Sequence, residues 1–189
     1  MRSFLSLFIV APLVCVAVAG CQSVAGLDSA QPLESSAADG AAYRLGPGDH
    51  LALIVFGAPE LSATDINVAA DGTIALSLAG TLKATGLTLN ELTDAVRDRL
   101  KEGFVHDPRV SMQILSYRPF YVLGEVKTPG EYPYIPGMTV TTAVARAGGF
   151  TFRAYEDEFG VTRNGVKYRA TETSKLQPDD VVVVPARIF

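Results

Sequence analysis

The stretch YRLGPGDHLALIVFG, residues 43–57, decides how the rest of the chain is read. Pro47-Gly48 suits the two central positions of a type II turn, because proline presets φ and glycine accepts φ > 0. Beyond the turn, Leu51, Leu53 and Val55 alternate onto one face of a strand, with Ala52, Ile54 and Phe56 on the other. Both faces are apolar, which predicts a strand covered on both sides. Order therefore starts near Tyr43.

Downstream, INVAADGTIALSL (66–78) reads as two strand-like runs joined by Asp71-Gly72, a pair that favours a tight hairpin turn. Thr88 and Glu91 then have the spacing of a capping box, in which the threonine caps the helix and the glutamate reaches back. Leu89, Leu92, Ala95, Val96 and Leu100 recur on one helical face, and Gly103 is expected to stop the helix. RVSMQILSY (109–117) returns to alternation, with Val110, Met112 and Ile114 on one side. This first unit is α+β and ends near Arg118.

A second unit follows in FYVLGEVKTPGEYPY (120–134), read as a strand, a turn at Pro129-Gly130 and a short return. Val140, Ala143, Val144 and Ala147 mark one face of a short helix closed by Gly148-Gly149. FGVTRNGVKYRAT (159–171) holds a hairpin with Asn164-Gly165 as its two-residue turn. LQPDDVVVVP (176–185) makes a turn and a four-valine strand. Two strands, a helix, a hairpin and a last strand suit a β-grasp domain, a sheet curled around one helix.

Upstream lies a different kind of sequence. Met1 and Arg2 give a positive amino end, and an apolar run to Gly20 is broken by Ser6, Pro12 and Cys15. A charged start, an apolar middle and small residues at the exit form a secretory signal peptide, residues 1–20. A transmembrane anchor needs ~20 apolar residues; this run is shorter and has no basic stop-transfer flank. Its exit, Val18-Ala19-Gly20-Cys21, resembles a bacterial lipobox, which makes Cys21 the expected lipid attachment site. Diacylglyceryl and N-acyl lipid on Cys21 would anchor stably, since two or more chains hold where one is marginal. By the lipoprotein sorting rule, Asp after the cysteine retains the chain at the inner membrane. Here Gln22 follows, which points to the outer membrane, periplasmic face. Residues 21–42 are read as lipid anchor and flexible tether, rich in Ala, Ser, Gly and Asp, with an end-to-end distance of roughly 25 Å.

The 189-residue chain has two cysteines, a net charge of −4, 48% hydrophobic and 19% charged residues. With Cys21 acylated no disulfide can form, so apolar cores must supply the stability. The negative charge and the lack of a basic stripe argue against nucleic acid as a partner. Chemistry is sparse. His50 and His106 have no cysteine or carboxylate at metal-ligand spacing and read as structural. Glu156, Asp157 and Glu158 lack the regular oxygen-ligand loop of a calcium site and read as a solvated loop. No serine sits in a nucleophile elbow, no glycine run resembles a phosphate cradle, and no paired-carboxylate constellation suggests action on glycans. Catalytic, cofactor and metal sites are all read as none, and the chain as not an enzyme.

YRLGPGDHLALIVFGAPELS (43–62), VAADGTIALSLAGTLKATGLTLNEL (68–92) and FVHDPRVSMQI (104–114) resemble the polysaccharide export domain of Wza-type outer-membrane proteins. FYVLGEVKTPGEYPYIPGMTVTTAVARAGGF (120–150) and LQPDDVVVVP (176–185) resemble the soluble-ligand-binding β-grasp (SLBB) domain that follows it. The resemblance covers nearly all of residues 43–185. Two departures stand out: Ser77 where the family usually has proline, and Asp179 where it usually has glycine. Gly80 and Gly86 match family glycines and are read as turn positions.

The resemblance implies an export domain over 43–118 and an SLBB β-grasp domain over 119–189. It implies a lipoprotein that forms a homo-oligomeric ring under the outer membrane and helps pass capsular polysaccharide or exopolysaccharide. The expected partner below is an inner-membrane polysaccharide copolymerase. Long members of the family end in an amphipathic helix that lines the pore. Here PARIF (185–189) follows the valine strand, and five helical residues rise about 7.5 Å against a hydrocarbon core of roughly 30 Å. The expectation is a short form that relies on a separate outer-membrane β-barrel for the exit. The other reading is a periplasmic polysaccharide-binding module that forms no conduit, with Tyr132 and Tyr134 as its sugar-facing aromatics.

Overall fold

The computed structural model describes residues 30–33, 43–77, 79–102 and 105–187. In chain order the strands are β1 (Gln31–Pro32), β2 (His50–Phe56), β3 (Ala63–Asn67), β4 (Thr73–Leu76), β5 (Gly80–Lys83) and β6 (Arg109–Ser116). They continue with β7 (Phe120–Gly124), β8 (Gly130–Tyr132), β9 (Phe159–Arg163), β10 (Val166–Ala170) and β11 (Val181–Val184). The helices are α1 (Leu89–Lys101) and α2 (Val140–Arg146). Gly103, expected to stop α1, lies outside the described residues; Glu102 is the C-cap.

In the first unit β2 is the central strand of an antiparallel sheet ordered β3-β2-β6. Leu51, Leu53 and Val55 of β2 are buried with Met112 of β6 and with Leu92, Val96 and Leu100 of α1. The helix starts where its capping box dictates: Thr88 Oγ1 accepts from the Glu91 N–H, and Glu91 Oε2 accepts from the Thr88 N–H at 2.7 Å. The Thr88 N–H first, and then the Thr88 side chain, hold the Glu91 carboxyl below its usual range.

Two expectations for this unit need correction. The Asp71-Gly72 turn forms, with the Ala69 N–H donating to the Thr73 carbonyl at 2.8 Å, but the strands on either side do not make a hairpin. Instead β3 pairs with β2, and β4 pairs with β5 in a separate two-stranded ribbon. A turn dipeptide specifies a local reversal, not the partner of the strand that leaves it. The second correction concerns the second face of β2, where only Ala52 is buried. Ile54 and Phe56 on that face are exposed.

The second unit is one mixed sheet ordered β1-β10-β9-β11-β7-β8. Hairpins β7-β8 and β9-β10 are joined through β11, which runs parallel to β7 and antiparallel to β9. This is the β-grasp arrangement, with α2 packed on the buried face of the sheet. Val140, Ala143 and Val144 of α2 are buried against Phe120, Val122, Phe159, Val161, Val182 and Val184 of the sheet. The alternation of β11 explains its four valines: Val182 and Val184 enter the core, while Val183 is exposed on the outer face.

Within the stretch read as a tether, β1 adds to the edge of this sheet. Gln31 and Pro32 pair in parallel with Tyr168 and Arg169, and Leu33 packs against the second core. Proline is compatible with an edge strand because no neighbour there requires its missing N–H. A two-residue strand has too little period to show in composition.

The β9-β10 turn has Asn164 at φ 50° and Gly165 at φ 79°, both positive as a type I′ turn requires. A Cβ on Gly165 would meet nothing within 4 Å, so any penalty there is a backbone penalty. Gly165→Val should lower stability by about 1–3 kcal/mol, read from the midpoint of urea unfolding. An unchanged midpoint would show that this hairpin tolerates another turn.

Candidate functional site

The densest polar constellation lies where the two units meet, and two similar turns build it. In the first, Gly46-Pro47-Gly48-Asp49, the Asp49 N–H donates to the Gly46 carbonyl at 3.2 Å, and Gly48 has φ 92°. In the second, Gln177-Pro178-Asp179-Asp180, the Asp180 N–H donates to the Gln177 carbonyl at 3.2 Å, and Asp179 has φ 67°. Each turn ends in an aspartate of 0% exposure whose Oδ2 accepts the N–H three residues back, Gly46 at 2.9 Å and Gln177 at 2.7 Å.

A buried carboxylate needs its lone pairs filled, and each aspartate recruits further donors. Asp180 takes a two-pronged contact from Arg163, at 2.8 Å from Nε and 2.7 Å from Nη2. Asp49 accepts the Tyr43 hydroxyl at 2.7–2.8 Å and the backbone N–H of Arg118 at 3.0 Å. That last bond ties the start of the second unit to the first turn of the first unit.

The Arg118 side chain completes the joint. Its Nη1 donates to Asp179 Oδ2 at 2.8 Å, and its Nη2 donates to the Tyr43 hydroxyl at 3.2 Å. Its Nε lies 3.5 Å from Asp49 Oδ1, an ion-pair distance without a hydrogen bond. The Asp179 N–H donates to the Pro119 carbonyl at 2.9 Å. Burial alone would lower the Arg118 pKa; the Tyr43 hydroxyl, Asp49 and Asp179 outweigh it and raise it. Burial, then the bond to Asp49, pushes the Tyr43 hydroxyl above its ordinary value. An aromatic ladder spans the same joint: Tyr43 meets Tyr117 edge-on at 4.9 Å, and Tyr117 meets Tyr134 edge-on at 5.8 Å.

Magnitudes separate the roles of these residues. Holding Asp179 in the left-handed region costs roughly 1–3 kcal/mol. A half-exposed ion pair returns about 0–1 kcal/mol. Asp179 is therefore not explained by stability alone. Asp49, by contrast, is structural in the strict sense, because its loss would orphan several buried donors.

The other residues singled out in the sequence lie away from this joint. Cys21 is outside the described residues. His50 Nδ1 lies 2.8 Å from Asp65 Oδ1 at the surface. The acidic loop is paired rather than simply solvated, with Glu156 at 3.5 Å from Arg187 and Glu158 at 2.6 Å from Arg169. Among the described residues no group of three His, Cys, Asp or Glu is placed to hold a metal ion. Tyr132 packs on Phe120 and its hydroxyl donates to the Thr128 carbonyl, while the Tyr134 hydroxyl donates to the Leu176 carbonyl. Both rings are engaged in packing. Among the exposed apolar side chains are Ile54 and Phe56 on β2, and Tyr121, Leu123 and Val183 on the outer face of the second sheet.

The order of the two units agrees with the comparisons to known proteins. Residues 37–115 match the polysaccharide biosynthesis/export protein family, and residues 119–170 match the SLBB domain. The chain belongs to the polysaccharide export family. That family is one of export proteins, not enzymes. The chain is 35% identical over 153 residues to the EPS I polysaccharide export outer membrane protein EpsA of Ralstonia solanacearum, covering 67% of this chain and 40% of that protein. It is 39% identical over 87 residues to the exopolysaccharide production protein ExoF of Rhizobium meliloti (strain 1021), covering 45% of this chain and 21% of the relative. It is 28% identical over 109 residues to the polysialic acid transport protein KpsD of Escherichia coli, covering 57% and 19%. The matched part thus spans less than half the length of each of these relatives.

Asp49→Ala would leave the Gly46 and Arg118 N–H groups and the Tyr43 hydroxyl without their acceptor. Urea unfolding of this variant should show a loss of about 3–5 kcal/mol. Asp65→Ala, which removes only an exposed pair, should lose about 1 kcal/mol or less. Equal losses in the two variants would contradict the assignment of Asp49 as the buried acceptor of the joint.

Proposed function

We propose that this chain is a periplasm-facing outer-membrane lipoprotein, acylated on Cys21, that assembles into a ring conducting capsular polysaccharide or exopolysaccharide toward an outer-membrane exit. The observation that carries the reading is the order of domains: an export domain followed directly by an SLBB domain, in a chain whose EpsA relatives are named as polysaccharide export outer membrane proteins. A conduit acts by shape and position, so it requires repeated rigid units and an anchor, and no nucleophile.

Self-association is supported by the apolar faces. Ile54 and Phe56 on one unit and Tyr121, Leu123 and Val183 on the other are exposed in the single chain. Exposed apolar clusters on two units of one chain are the kind of surface that neighbouring subunits cover. Among the described residues no helix is long and apolar enough to cross a membrane, which says nothing about strands. The reading assigns the membrane exit to a separate outer-membrane β-barrel and the inner-membrane end to a polysaccharide copolymerase. Against the non-conduit binding module stands the packing of Tyr132 and Tyr134, whose hydroxyls are spent on backbone carbonyls.

The test is electron microscopy of the detergent-extracted, acylated protein, paired with membrane fractionation of Cys21→Ala. Closed rings from the wild type, and release of the variant from outer-membrane fractions without acyl labelling, are expected. Monomers that bind the polysaccharide would favour the module. Persistent acyl labelling of Cys21→Ala would refute the anchor.

A further inference from the structure

We infer that Arg118 and Asp179 form an interdomain latch, which holds the export and SLBB domains in one fixed relation. The inference stands on the joint itself and is independent of the export reading. Three observations converge on it. First, Asp179 adopts φ 67° where glycine would be at ease, and its side chain receives Arg118 Nη1 at 2.8 Å across the domain boundary. Glycine could make the turn but could not reach across the boundary. Asparagine and aspartate are the side chains that tolerate this backbone region best.

Second, the first turn is shaped to receive the same guanidinium. A Cβ on Gly46 would lie 2.5 Å from Arg118 Nη1 and 2.7 Å from its Cζ, so the missing side chain is what lets Arg118 lie across the turn. Third, Arg118 reaches groups from both units at once: Tyr43 and Asp49 on one side, Asp179 on the other. Domains joined by a short connection move relative to one another unless something fixes them. Because one planar guanidinium touches both turns, a rotation of either domain must break at least one of its contacts.

The two elements separate in experiment, because Asp179→Gly removes the side chain while relieving the backbone. The full-length chain, with Cys15 and Cys21 replaced by serine, is spin-labelled at Asp98→Cys on α1 and Ala145→Cys on α2. It is diluted with unlabelled chain, so that distances within one chain are read by double electron–electron resonance. A single narrow distance distribution is expected for the otherwise native sequence. Asp179→Gly should keep or raise the melting temperature, yet broaden the distribution about twofold or more as the domains regain their default freedom. Gly46→Ala should broaden it by displacing the guanidinium, and Asp179→Asn should fall between. An unchanged width in Asp179→Gly overturns the latch whatever Gly46→Ala does. A lower melting temperature with unchanged width would make Asp179 a local stabiliser only.

Discussion

The architecture depends on one constraint: the carboxylate of Asp49 is fully buried and must be supplied with donors. Its own turn provides the Gly46 N–H, and Tyr43 provides a hydroxyl. The remaining donor is the Arg118 N–H, from 69 positions further along the chain. Filling that position brings the end of β6 back beside the start of β2. It also sets the point from which β7 begins the second sheet. The second turn repeats the device around Asp180, with Arg163 in place of the tyrosine. Two proline turns, each closed by a buried aspartate, thus contact one arginine, through Asp49 and Asp179.

This arrangement bears on function through rigidity. In the proposed conduit, a subunit has to present its outer faces to its neighbours at a constant angle, or a closed assembly cannot form. The joint described here combines the Asp179–Pro119 backbone bond, the Arg118 N–H bond to Asp49, an ion pair and an edge-on ladder of three tyrosines. The apolar faces of β2 and of the second sheet lie on the bodies that this joint holds together. Rigid bodies with exposed apolar faces suit a part whose task is assembly rather than chemistry.

Much of the local structure was legible in the residues. The capping box at Thr88 and Glu91, the Asn164-Gly165 turn and the strand at Val181–Val184 follow from short-range rules, and the structure contains all three. The resemblance supplied the two-domain order. What the sequence did not disclose were pairings between distant residues. Asp71-Gly72 announces a turn but does not say that β4 will leave β3 for β5. The apolar outer residues of β2 promised burial, yet Ile54 and Phe56 are exposed. Arg118 reads only as a polar residue before a proline, and its importance arises from partners 61 to 75 positions away. The one available hint was Asp179, a side chain placed where the family usually has none.

Residue-resolved amide hydrogen exchange tests the central claim most directly. Gly46 and Arg118 lie in stretches that read as turn and linker, where amides ordinarily exchange fast. If Asp49 is the shared buried acceptor, both amides should be protected as strongly as the core amides of β2 and β7. Fast exchange at Arg118, while the two cores stay protected, would contradict the account: the domains would then be independent bodies on a loose connection.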